Sequence, residues 1–172
     1  MRANNKRRRY VNMTENVQLT QKEQTLLQDQ KSHEEICVQK YQNYANQAQD
    51  PQLKQLFNDY AGQEQQHLDT INQILGGQVP DVGQGQQGQQ TQQSNPGGMN
   101  QMEGAMADQG DASLCNDMLM TEKYVSNTYD TAVFECSNSG IRQALNHIQK
   151  EEQQHGEGLF NYMQSKGMYN PQ

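Results

Sequence analysis

The tetrapeptide EQQH occurs twice, at Glu64–His67 and at Glu152–His155. Each copy sets a carboxylate and an imidazole at i and i+3, which on a helix brings both side chains to one face. A further glutamate stands 30 residues before each copy, Glu34 before Glu64 and Glu122 before Glu152, so the whole set recurs at an offset of 88. Two single glutamates and two Glu-x-x-His pairs form the ligand inventory of a dinuclear metal site between four helices. Four carboxylates and two imidazoles suit iron or manganese better than zinc. In this reading Glu34 and Glu122 each hold one ion, Glu64 and Glu152 bridge, and His67 and His155 cap the two ends.

Such ligands need helices that turn them inward. Four segments, about 20–49, 51–75, 113–137 and 139–166, carry apolar residues in steps of three and four. Asp50-Pro51 separates the first two, Gly76-Gly77 ends the second, and Ser137–Gly140 is the turn between the last two. The expected fold is all-α: a four-helix bundle of two helical hairpins. Residues 30–75 set against 118–163 share eight identities, among them Glu34/Glu122, Tyr41/Tyr129 and both EQQH motifs.

All six candidate ligands fall on stripes otherwise filled by Leu, Ile, Phe, Tyr and Cys. A buried, unpaired carboxylate costs several kcal/mol, and no Lys or Arg lies on a stripe to offset it. Two bound cations would. The alternative is a relic of duplication whose glutamates face water, but a relic is free to lose ligands from either half, and all six are present. His33 and His147 lie off the stripes and read as surface residues; Glu35 and Glu151 adjoin ligands but are expected to point elsewhere. Tyr41 and Tyr129, two turns from the single glutamates, are open to three roles: core filler, hydrogen-bond donor to a ligand, or redox-active group.

The rest of the composition narrows the class. A 172-residue chain that is 32% apolar, with three Phe and no Trp, supports one domain with a modest core. The net charge is −7 although Arg2, Lys6, Arg7, Arg8 and Arg9 crowd the N-terminus, so the remainder is strongly acidic and unsuited to nucleic acid. Residues 1–19 read as a disordered basic tail, or in their first twelve residues as an upstream start with the natural one at Met13, and 167–172 as a C-terminal tail. No apolar run approaches a membrane span or the core of a signal peptide. Cys37, Cys115 and Cys136 are odd in number and show no C-x-x-C spacing. Residues 76–112 include QGQQGQQTQQ and read as a flexible Gln/Gly-rich crossover, long enough to bring the third segment parallel to the second.

The C-terminal third resembles the Coat F domain of endospore coat proteins of spore-forming Firmicutes. Glu122-Lys123-Tyr124, Asn127-Thr128-Tyr129, Ala144–Ile148, Glu151–His155 and Gly167-Met168-Tyr169 carry the resemblance. The N-terminal hairpin, through Glu34 and Glu64–His67, is similar to the ferritin-like group that includes rubrerythrins and manganese catalases. The resemblance implies a ferritin-like bundle, synthesis in the mother-cell cytoplasm and a place in the spore coat beside other coat proteins, with a homodimer one arrangement open to it. It implies no settled reaction. Two functions therefore stand: a coat component that binds metal, and an active dimetal oxidoreductase that consumes peroxide or oxidises Fe(II).

Overall fold

The structure, a computed structural model, describes residues 16–81 and 109–169. The basic cluster of residues 2–9, the QGQQGQQTQQ segment and the last three residues lie outside the described residues. Four helices account for the rest: α1 (Gln21–Gln47), α2 (Pro51–Leu75), α3 (Gln109–Glu135) and α4 (Ser139–Ser165). Among the described residues there is no strand, and no helix is long and apolar enough to cross a membrane.

Local chemistry sets most of the boundaries. Thr20 and Glu23 form a reciprocal capping box at the start of α1. Asp50 caps α2 with Pro51 in the first turn, and Asn138, its counterpart 88 residues on, caps α4. Gly77 and Gly167 follow α2 and α4 with φ of 80° and 69°, a conformation that favours glycine. The largest departure from the sequence expectation is the start of α3, at Gln109 rather than 113, which shortens the 76–112 crossover. Asp111 lies in its first turn, where a carboxylate favours the helix dipole, and it accepts from the backbone N–H groups of Gln49 and Asp50, both at 2.9 Å.

α1 packs on α2 and α3 on α4, and the hairpins meet through α1 on α3 and α2 on α4. Cross-hairpin contacts pair early residues of one helix with late residues of the other, such as Glu23 with Ser137 and Gln49 with Asp111, so α1 and α3 are antiparallel. α2 and α3 consequently run the same way, with the end of α2 and the start of α3 at opposite ends of the bundle. The core forms two apolar lobes. One gathers Leu27, Ile71, Ile74, Ile141, Leu145 and Ile148; the other gathers Leu53, Phe57, Cys115, Met118, Leu159 and Met163. Glu34, Glu64, Glu122 and Glu152 lie between the lobes, near the middle of their helices.

The tie at the helix ends is reciprocal. Glu23 Oε1 accepts from the backbone N–H and hydroxyl of Ser137 at 2.8 and 2.9 Å, as Asp111 accepts from the other turn. The two acids stand 88 residues apart and each secures the opposite hairpin. Burial alone would raise the Glu23 carboxyl, but donors from Ser137 and Thr20 outweigh it and hold it down at about 2. Its folded value is below the unfolded one, so its contribution is complete above pH 4.5 and is lost as pH falls toward 2. Glu23→Ala is expected to cost about 1–3 kcal/mol near neutral pH. Urea titrations of both proteins at a series of pH values should show that difference shrinking through this acid window.

Candidate metal centre

Each of the six candidate ligands is carried on a helix of the bundle and turned inward by the apolar stripe around it. Glu34 comes from α1, Glu64 and His67 from α2, Glu122 from α3, and Glu152 and His155 from α4. None is more than 2% exposed. The structure brings all six together as two overlapping groups: Glu34, Glu64, His67 and Glu152, and Glu64, Glu122, Glu152 and His155. Within each group one ligand atom per residue lies within 4.8 Å of every other, and Glu64 and Glu152 belong to both. Cys37 is buried nearby as a free thiol but is in neither group.

Both imidazoles aim Nδ1 at the carboxylates. His67 Nδ1 is 3.0 Å from Glu152 Oε1, 3.4 Å from Glu64 Oε2 and 3.6 Å from Glu34 Oε2. His155 Nδ1 is 2.9 Å from Glu64 Oε1, 3.9 Å from Glu122 Oε2 and 4.0 Å from Glu152 Oε2. The two rings stack at 5.7 Å. One oxygen of each glutamate is thus engaged: Glu34 Oε1 by the Tyr129 hydroxyl, Glu122 Oε1 by the Tyr41 hydroxyl, Glu64 Oε1 by His155 and Glu152 Oε1 by His67. The other oxygen, Oε2 in every case, is buried with no hydrogen-bond partner. Buried polar atoms are rarely left so, and four at once in one layer of the core fit a site built for cations.

The surrounding contacts cross between the hairpins. Tyr41 serves Glu122 and Tyr129 serves Glu34, so of the roles open to these tyrosines the structure shows hydrogen bonding to a ligand as well as core packing. The outer nitrogens are held too: His67 Nε2 lies 2.9 Å from Glu151 Oε2, and His155 Nε2 lies 3.0 Å from Gln63 Oε1. The expectation that Glu151 points elsewhere is corrected. It leaves the α4 stripe, but one helical step from Glu152 turns it toward α2, where His67 meets it. Gln63 and Glu151 are also counterparts at the 88-residue offset, a signal present in the sequence. Tyr60, with a half-buried ring tilted against His155 at 4.3 Å, has Ile148 as its counterpart and carried no such signal. Glu35 is exposed, and His33 and His147 are half-buried outside the cluster.

Burial dominates the electrostatics. It pushes Glu34 and Glu152 up to about 7, with the neighbouring Glu64 charge adding to both. Burial likewise raises Glu64 and raises Glu122 well above the usual carboxylate range. The imidazoles part company. Burial would lower His67, but the Glu151 and Glu152 carboxylates overcome it and hold the ring well above its ordinary value. His155 faces a neutral amide instead, and burial takes it down to about 4. Tyr41 and Tyr129 are raised well above 10, chiefly by burial and then by the carboxylates they serve, and so remain donors.

Residues 110–172 match the Coat F domain. The match spans nearly all of α3 and all of α4, and so contains Glu122, Glu152 and His155 but not Glu34, Glu64 or His67. No curated protein and no solved structure matches the chain.

The metal-free bundle has an unusual pH dependence built in. Glu34 and Glu152 hold protons up to about pH 7 in the folded state but only to 4.5 when unfolded. Stability therefore falls as pH rises through this interval. The raised Glu64, Glu122 and His67 act in the same direction. His155, lowered to about 4 from 6.5, opposes them below pH 6.5. The melting temperature of chelator-treated protein is expected to rise when pH is lowered from about 8 to about 6. A flat or falling value across that range would contradict the buried arrangement of the carboxylates.

Proposed function

We propose that the chain is an endospore coat protein built on a ferritin-like bundle that binds a dinuclear iron or manganese centre. The observation that carries the metal is the set of four buried Oε2 atoms of Glu34, Glu64, Glu122 and Glu152, none with a hydrogen bond, converging between two apolar lobes. Glu34 and His67 would hold one ion and Glu122 and His155 the other, with Glu64 and Glu152 shared between them, as the two overlapping groups suggest. When bound, adjacent iron or manganese ions supply Lewis acidity and electron exchange with oxygen-derived small molecules. The chain's own part is to exclude water, to orient each carboxylate through Tyr41, Tyr129 and the imidazoles, and to hold the imidazole Nδ1 atoms toward the ions. The Coat F match supports the coat assignment, with synthesis in the mother cell and other coat proteins as neighbours.

A second reading, an active dimetal oxidoreductase, is favoured by one specific feature. A groove of about 580 Å³ runs between α3 and α4, and its lining includes Glu122 and Glu152. Both residues are buried, at 2% and 0% exposure, so this wall, once opened, is where a small oxidant would enter.

Metal analysis of protein produced with iron and manganese is expected to find about two ions per chain, and Glu64→Ala, which removes a shared carboxylate, should lose both. Less than one ion per chain, unaltered in Glu64→Ala, would defeat the metal reading. On the same samples, turnover of peroxide or Fe(II) selects the oxidoreductase, and metal without turnover selects a structural centre. The coat assignment is checked separately by fractionating sporulating cells that carry tagged protein. Tag confined to the mother-cell cytosol and missing from purified spores would refute it.

A further inference from the structure

The two candidate metal positions have matched ligands and unmatched surroundings. At the 88-residue offset Glu151 stands where the first half has Gln63, Ile148 where it has Tyr60, and Gly156 where it has Leu68. These substitutions cluster around the ligands, and each changes one position but not the other.

The first difference is electronic. His67 presents its outer nitrogen to a carboxylate, Glu151, at 2.9 Å. His155 presents its outer nitrogen to an amide oxygen, Gln63, at 3.0 Å. With the proton on Nε2, a carboxylate acceptor draws on it more strongly and makes Nδ1 the better electron donor. It also places a further negative charge near the Glu34–His67 position. Both effects favour a cation there over the Glu122–His155 position.

The second difference is access. Glu122, which belongs only to the second position, lines the α3–α4 groove together with the shared Glu152. Gly156 is part of the wall. A Cβ added there would stand 3.8 Å from Leu119 Cδ1 and 4.0 Å from Glu122 Cβ, ordinary contact distances, so it is atoms beyond Cβ that would occupy the groove. Leu68 is the half-buried counterpart in the first half, and the buried Val38 is the counterpart of Ser126, another groove residue. Leucine and valine thus stand in the first half where the second half has Gly156 and Ser126 on the groove.

We infer that the two positions are unequal: the one at Glu34 and His67 fills first and retains its ion, while the one at Glu122 and His155 binds more weakly and exchanges its ion through the α3–α4 groove. This rests on the dinuclear reading above. Glu151 acts here as a positioning residue, through His67, and Gly156 as the residue that keeps the path open.

Calorimetric titration of the metal-free full chain with Mn(II) tests it. Two resolved binding steps are expected, separated by about 10- to 100-fold in affinity, the range typical of a lost partner behind a metal-bound histidine. Glu151→Gln should weaken the tighter step by a similar factor and bring the two together. Gln63→Glu should tighten the weaker one, and it carries the test alone should Glu151→Gln fail to fold. In stopped-flow loading, Gly156→Leu should slow uptake of the second ion relative to the first. Two ions bound with equal affinity, or a Glu151→Gln variant that weakens the second step and spares the first, would overturn the inference while leaving the dinuclear centre standing. Absence of Mn(II) and Fe(II) binding in the parent chain would remove the dinuclear centre itself.

Discussion

Everything in this bundle is arranged around the burial of four carboxylates in one layer. Glu34, Glu64, Glu122 and Glu152 are each between 0 and 2% exposed, and among the described residues no Lys or Arg is buried with them. Leaving a charged group in such surroundings without compensation costs several kcal/mol per ion. The protein supplies one donor to each glutamate, a tyrosine or a histidine, and then stops. Apolar lobes close both ends of the layer. The arrangement makes physical sense when the missing partner is a cation, and it explains why Glu34 and Glu152 are pushed toward protonation without one.

The 88-residue recurrence matters because neither hairpin satisfies its own candidate ligands. Tyr41 of the first hairpin serves Glu122 of the second, and Tyr129 returns the contact to Glu34. His67 is held by Glu151 and Glu152, and His155 by the Gln63 amide together with Glu64. At the ends of the helices Glu23 and Asp111 repeat the exchange with backbone donors. The pairing of hairpins is therefore specified by polar contacts at three levels along the bundle axis. A long connection between the hairpins is tolerable for the same reason, since loop-closure entropy grows only slowly with length.

The inward stripes were legible because a charge at a step of three or four within an apolar series is conspicuous, and the 88-residue recurrence recruited Glu34 and Glu122 to the motifs. Partners across the bundle were harder to see. A helical period says which way Glu151 leaves α4, but not that α2 stands there with His67. Tyr60 has the unlike Ile148 as its counterpart, so the recurrence does not single it out, and Gly158 is what admits it: a Cβ at Gly158 would collide with the Tyr60 hydroxyl. The start of α3 carries no mark in the sequence because Gly110-Asp111-Ala112 shows no apolar period; Asp111 is tied to Gln49 and Asp50, a contact distant in sequence.

Charge balance connects the layer to its departures from symmetry. Four carboxylates match two divalent cations with both imidazoles neutral, so a divalent pair leaves the layer without net charge. Any gain of positive charge in so dry a place needs an answering anion close by, because little solvent screens it. Glu151 is that anion for the His67 side, at 2.9 Å from the ring and ionised, since the His67 hydrogen bond outweighs the opposing effect of burial. Gln63 offers His155 no such charge. The halves therefore differ not in which atoms would face a pair of ions but in how much positive charge each side could bear, and the side with less compensation is the one whose Glu122 lines the α3–α4 groove.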